Sequence, residues 1–187
     1  MIIGNPDNFA FYVDLVDEWC YGSEKNGLSG VYIKGKGIIS NHGLIALDSE
    51  FSNFINRVNH IPSSETLFLL DNLSLLKELI KKRFPNWWAN TENDWENNIG
   101  YWKHEDEDFS FDLTLESFNI GNNEQFHLFA IRNAAIIKLL LYKKNDKSNF
   151  FNFSEISMND ITTVEVRCDY LLESISKLKS VIVQGFI

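Results

Sequence analysis

The stretch from Gln125 to Lys143 restricts the fold more than any other. Phe126, Leu128 and Ala130 alternate with His127, Phe129 and Ile131, which is the two-residue period of a β-strand. Ala135 to Tyr142 follows as a nearly unbroken apolar run, and such a run suits a central strand rather than a sheet edge. Asn133 begins a turn between the two, so the stretch reads as a hairpin. A fold built around it needs other elements to cover that much apolar surface.

Those elements are legible on both sides. Phe9 to Val16 alternates, with Phe9, Phe11, Val13 and Leu15 on one face, and follows the turn chemistry of Asn5-Pro6-Asp7-Asn8. Gly30–Ile33 and Ile38-Ile39 flank Lys34-Gly35-Lys36-Gly37, a second hairpin whose first strand pairs with the one at Phe9. Asp48 is placed to cap a helix carrying Phe51, Phe54, Ile55 and Val58 at helical spacing. Leu67 to Leu70 fits a short strand or the lead-in to a helix. Asp71 or Asn72 caps the next helix, with Leu73, Leu76, Leu79 and Ile80 as its buried stripe, and Pro85 ends it. Phe109, Phe111 and Leu113 alternate as a further strand, and Ile161 to Arg167 is another. Asp169 caps a last helix that buries Leu171, Leu172, Ile175, Leu178 and Ile182. Hairpins separated by a few helices predict an α+β fold with a mainly antiparallel sheet, over one domain spanning 1–187.

Charge narrows the partners. Twenty-six acids against 17 Lys and Arg give a formal charge of −9, which repels nucleic-acid phosphates and gains nothing at an anionic membrane. Such a surface favours encounter with a basic protein. No basic-then-apolar leader opens the chain and no apolar run approaches the roughly 18 residues of a membrane span, so a cytoplasmic location is expected. Cys20 and Cys168 form no CxxC pair and are expected to stay reduced.

Catalytic signatures are missing from the sequence. It contains no GxGxxG, GxxxxGKS/T or GxSxG, and His42, His60, His104 and His127 do not fall at metal-binding spacing. Acids cluster at Asp14, Asp17 and Glu18 and at Glu92, Asp94 and Glu96, but sequence proximity does not set two carboxylates across a cleft. No catalytic residue, metal or cofactor is expected, and His127 is expected to be a satisfied or exposed sheet residue.

Residues 86–108 stand apart. Trp87, Trp88, Trp95 and Trp102 share this stretch with seven acids and no clean periodicity, so it reads as a long loop with one helical turn at most. Trp is a favoured interface anchor, and acids around it complement a basic surface. The candidate partner-binding residues are Asp94, Trp95, Glu96, Trp102, Glu105, Asp106, Glu107 and Asp108. The bland reading of the same stretch is that the tryptophans cover the core while the acids face water.

The N-terminal run adds a resemblance. Met1-Ile2-Ile3-Gly4-Asn5-Pro6, Phe9-Ala10, Val13-Asp14-Leu15-Val16-Asp17-Glu18-Trp19, Gly27-Leu28 and Tyr32-Ile33-Lys34-Gly35 together resemble immunity protein family 42 of bacterial polymorphic toxin and contact-dependent inhibition systems. The match covers about the first 40 residues, with a fainter echo at Val164-Glu165-Val166 before Tyr170-Leu171. It implies a protein that binds and neutralises a cognate toxin domain non-covalently, without a cofactor, and it carries no catalytic residue with it. A nuclease is one toxin class that the acidic charge suits. The alternatives from other classes are a non-catalytic adaptor and a carboxylate-dependent hydrolase.

Overall fold

The computed structural model describes residues 1–22, 24–39, 45–85, 87–89, 109–115, 118, 125–145 and 151–184. In chain order the strands are β1 (Ile2–Asn5), β2 (Phe9–Leu15), β3 (Asn26–Ile33), β4 (Lys36–Ile39), β5 (Ile45–Ala46), β6 (Trp88–Ala89), β7 (Gln125–Asn133), β8 (Ile136–Lys144), β9 (Phe151–Asn152) and β10 (Ile161–Arg167). The helices are α1 (Leu47–Asn59), the single turn α2 (Glu65–Phe68), α3 (Asn72–Arg83) and α4 (Cys168–Gln184).

An antiparallel sheet runs β1-β2-β3-β4, with β5 also on β3, and a second antiparallel sheet runs β10-β8-β7. A short parallel pair joins β6 to β9. This is the α+β, mainly antiparallel architecture that the hairpin pattern predicts. The apolar strand β8 is central, as its composition requires, and both its faces are covered.

Those two faces create two cores. Leu139 and Leu141 of β8, with Leu128 and Ala130 of β7, face the first sheet, α1 and α4, meeting Phe11, Val31, Phe54 and Leu171. Leu140 and Tyr142, with Phe129 and Ile131, face the opposite way onto Leu75, Leu76, Leu79 and Ile80 of α3 and onto Phe151 and Phe153. The first core is centred on Phe11, whose ring meets Phe9, Phe51 and Phe54 edge-on at 5.1, 5.9 and 5.3 Å. Edge-to-face contact directs the positive ring edge at a negative ring face.

Several local expectations need correction. Residue Asp48 is not the cap of α1: Ala46 holds that position, and Asp48 lies in the first turn, where a negative charge still suits the helix dipole. Asp71 does cap α3, its carboxylate accepting from the Leu73 and Ser74 N–H groups at 3.0 Å each. α4 begins at Cys168, one residue ahead of the expected Asp169 cap. The turn between β3 and β4 is Lys34-Gly35 alone, both at positive φ, so Lys36 and Gly37 belong to β4.

The largest local correction is at Phe109–Leu113, which is not a regular strand. The Asp112 N–H donates to the Phe109 carbonyl at 2.8 Å and closes a turn. The segment then touches β7 through Leu113 N–H to Leu128 O (2.7 Å) and Ala130 N–H to Phe111 O (2.8 Å). Phe111 enters the α3 core while Leu113 enters the other, so the alternation seen in sequence is a chain passing from one core to the next.

Candidate partner-binding surface

The residues Asp94, Trp95, Glu96, Trp102, Glu105, Asp106, Glu107 and Asp108 lie outside the described residues. What the structure gives is the ground from which that segment leaves and to which it returns. On the leaving side, Trp88 stacks on Phe153 with centroids 5.3 Å apart and planes 10° from parallel, and Lys81 Nζ sits 5.2 Å from the Trp88 ring centroid. The Phe151 N–H donates to the Trp87 carbonyl at 2.8 Å, which fixes the parallel pairing of β6 with β9. Trp88 is half-buried and packs against the second core.

On the returning side, Phe109 lies under the Arg83 guanidinium at 4.4 Å, and Arg83 Nε donates to Asp112 Oδ2 at 2.7 Å. Asp112 is buried and fully used: its Oδ1 accepts from the Thr114 N–H at 3.0 Å and its carbonyl from Arg57 Nη1 at 2.8 Å. The C-terminal end of α3, with Lys81, Lys82 and Arg83, thus stands between the two anchor points of an acidic segment.

His127 lies beside this ground and, among the described residues, is the titratable group most displaced from its ordinary behaviour. Its ring stacks near Phe129 and Tyr142, at 6.1 and 6.3 Å, and meets Phe84 and Phe151 edge-on at 5.8 and 5.3 Å. Burial pushes its pKa from 6.5 down to about 4; the Asp112 carboxylate opposes the shift, and the Lys144 and Arg83 cations add to it. Its Nε2 has no hydrogen-bond partner among the described residues. The expectation of a satisfied or exposed histidine is therefore wrong, because the face opposite Phe126 and Leu128 is covered by a second core rather than by water. A neutral imidazole enclosed by four aromatic rings is poorly placed to exchange protons with a substrate.

The N-terminal motif has a structural explanation. Ile3 enters the first core. Asn5 organises the β1–β2 turn, its Oδ1 accepting from the Asp7 N–H and its carbonyl from the Asn8 N–H, each at 3.0 Å. The Tyr170 hydroxyl donates to the Phe9 carbonyl and accepts from the Asn5 N–H, both at 2.6 Å, tying α4 to that turn. Gly4 has φ of +114°, and a Cβ there would lie 2.8 Å from the Tyr170 hydroxyl and from the Phe9 carbonyl. The second turn joins the same junction through Gly35 N–H to Pro6 O (2.8 Å) and Lys34 N–H to Asn8 O (3.0 Å). The two parts of the chain that carry the resemblance, at Gly4-Asn5-Pro6 and at Tyr170, therefore meet in space. Further on, Asp17–Trp19 form a 3-10 turn after β2, and Asn26 Nδ2 donates to the Trp19 carbonyl at 2.8 Å.

Both thiols are free: Cys20 Sγ lies 3.4 Å from the Val16 carbonyl and Cys168 Sγ 3.9 Å from that of Ala134. No described helix is long and apolar enough to cross a membrane.

No curated protein matches the chain. The crystal structure of CdiI from Burkholderia dolosa AUO158 has a similar fold, with a TM-score of 0.66 at 19% identity, over 96% of this chain and 99% of that one. The family model for immunity protein 42 matches residues 1–181. Immunity proteins bind a cognate toxin protein and neutralise it, a task of binding rather than catalysis. The chain belongs to the immunity protein 42 family.

Proposed function

We propose that this immunity protein acts in the cytoplasm as a stoichiometric, non-covalent blocker of a cationic toxin domain, with 1–187 working as one domain. A nuclease is the toxin class whose basic, phosphate-binding surface best fits a chain of charge −9. The likeness in fold to a CdiI protein supports a place in a contact-dependent inhibition system. The segment Glu92–Asp108 forms part of the contact, with Trp95 and Trp102 as apolar anchors and Asp94, Glu96, Glu105, Asp106, Glu107 and Asp108 as the complementary charge.

The observation that carries this reading is the concentration of charge. Seven of the 26 acids lie within these 17 residues, together with two tryptophans. Packing at Trp88 and Phe109 anchors the chain on either side. A dense acid cluster accelerates encounter with a basic partner, and aromatic anchors slow its release.

The test is association kinetics with the product of the neighbouring toxin gene. Neutralising Glu105, Asp106, Glu107 and Asp108 together to Gln or Asn should slow association about tenfold at low salt and flatten its salt dependence. Trp95→Ala should act instead on dissociation, weakening the complex by about 2 kcal/mol. An unchanged association rate and salt slope in the fourfold variant would place the contact elsewhere.

A further inference from the structure

The first sheet has an outer face that belongs to neither core. Phe9, Phe11 and Val13 of β2 turn inward with Val31 and Ile33 of β3. By alternation Tyr12, Asp14, Leu28 and Tyr32 turn outward, joined by Ile2 of β1 and Ile39 of β4. Among the described residues, none of these outward side chains packs against either core. Ile2 is 46% exposed and the others are half-buried. An antiparallel sheet with one solvated face ordinarily alternates apolar-in with polar-out. This one is apolar and aromatic on both faces, and Asp14 is the only charged residue at an outward position of β1–β4. A contiguous apolar face of this kind marks a surface that another molecule covers.

Its two tyrosines are held in place. A Cβ on Gly37 would lie 2.8 Å from Tyr32 Cε1, so the Tyr32 ring lies across the glycine opposite it. Tyr12 is the diagonal neighbour of Tyr32 across the β2–β3 ladder. Burial first, then the Asp14 carboxylate, Tyr32 and a hydrogen bond to Asp14 hold the Tyr12 hydroxyl above its ordinary pKa. Tyrosines already ordered offer contact area at little entropic cost. Charge is graded along the strands. The end at the two turns carries Lys34 and Lys36 against Asp7, while the end where β2 leaves the sheet carries Asp14, Asp17, Glu18 and Glu24 against Lys25. The anchor points at Trp88 and Phe109 pack on the second core, beyond the second sheet, so an occupant of this outer face leaves that ground free.

We propose that the outer face of the first sheet binds a second copy of this chain, with Tyr12 and Tyr32 of both copies at the centre. Two chains of charge −9 repel through their acidic surfaces, and this nearly uncharged face is where they can meet. The charge gradient also selects the orientation. Stacking about a two-fold axis in the interface and parallel to the strands would set acidic end on acidic end. An axis perpendicular to the strands instead sets the Lys34 end of each copy over the Asp14 end of the other, which is the complementary arrangement. The dimer does not depend on the toxin's chemistry, and it leaves each copy free to take one toxin.

The test is sedimentation of the whole chain over a range of concentrations. Reversible dimerisation at micromolar concentration is expected. Tyr12→Ser and Tyr32→Ser together should weaken it at least about thirtyfold. A charge swap guards against loss of dimer through misfolding. Lys34→Glu in one chain, and Asp17→Lys with Glu18→Lys in another, should each weaken the homodimer, because like charges then meet. Mixed, the two chains should form a heterodimer in preference to either homodimer, since every end-to-end contact is again between opposite charges; mass spectrometry of the intact mixture reads this directly. A wild-type chain that stays monomeric at high micromolar concentration, a tyrosine variant that dimerises like wild type, or a mixture without heterodimer preference would each overturn the proposal. Adding the cognate toxin should give a complex of two chains with two toxins. Toxin that breaks the dimer and shields Tyr12 and Tyr32 from oxidative labelling would assign the face to the toxin instead and overturn it as well.

Discussion

His127→Phe tests the two-core arrangement through its dependence on pH. In the folded chain the imidazole is enclosed by Phe84, Phe129, Tyr142 and Phe151, and its pKa falls from 6.5 to about 4. The unfolded chain therefore binds a proton near pH 6.5 that the folded chain refuses until about pH 4. This depressed group contributes stability above its unfolded pKa, and that stability is lost as pH falls toward the folded value. Between about pH 7.5 and about pH 4.5 the linkage amounts to about 2.5 kcal/mol. Urea unfolding of both chains at the two pH values reads it directly. The wild-type chain should lose about 2.5 kcal/mol more than His127→Phe over that interval, since phenylalanine does not titrate. Comparing each chain with itself cancels any repacking offset that the larger ring introduces. Parallel acid limbs would mean that the imidazole is not buried, and the assignment of β7 to a strand covered on both faces would fail with it.

Other consequences are open to the same unfolding assays. Phe11→Ala removes the ring that Phe9, Phe51 and Phe54 surround, and should cost about 3–5 kcal/mol. Gly4→Ala places a methyl against Tyr170 and Phe9 at a backbone angle suited to glycine, and should cost about 1–3 kcal/mol; an innocuous substitution would refute the structural reading of the N-terminal motif. Asp112→Ala leaves Arg83 facing Phe109 and Phe84 without its carboxylate, and should destabilise the chain by about 3 kcal/mol; a loss below about 1 kcal/mol would show that the pair is solvated.

Period-two alternation made β2, β7 and β10 readable, and the polar break at Lys34-Gly35 made the first hairpin so. These are strands whose two faces differ or whose turns are short. β1 escaped notice because Ile2 and Ile3 are too few to show a period; the strand exists through its pairing with Phe9–Tyr12 across the Asn5–Asn8 turn. The Phe109–Leu113 pattern misled for the opposite reason, since the same alternation is made by a chain threading between two cores. Burial of His127 was hidden for want of any sign that α3 would cover the far face of the hairpin. The buried cation at Lys138 was likewise unreadable, because the Phe68 carbonyl that receives it is 70 residues away in sequence. The candidate contact segment was visible through composition alone, which reports charge and aromatic content without geometry.

The most direct test of the central claim is a titration of the cognate toxin's activity with the purified chain at toxin concentrations well above the dissociation constant. A binding inhibitor should reduce activity linearly and abolish it at about one chain per toxin, with the toxin recovered intact after dissociation. Loss of activity that proceeds with time at far lower ratios, or a toxin left covalently altered, would contradict the account and identify a catalyst instead.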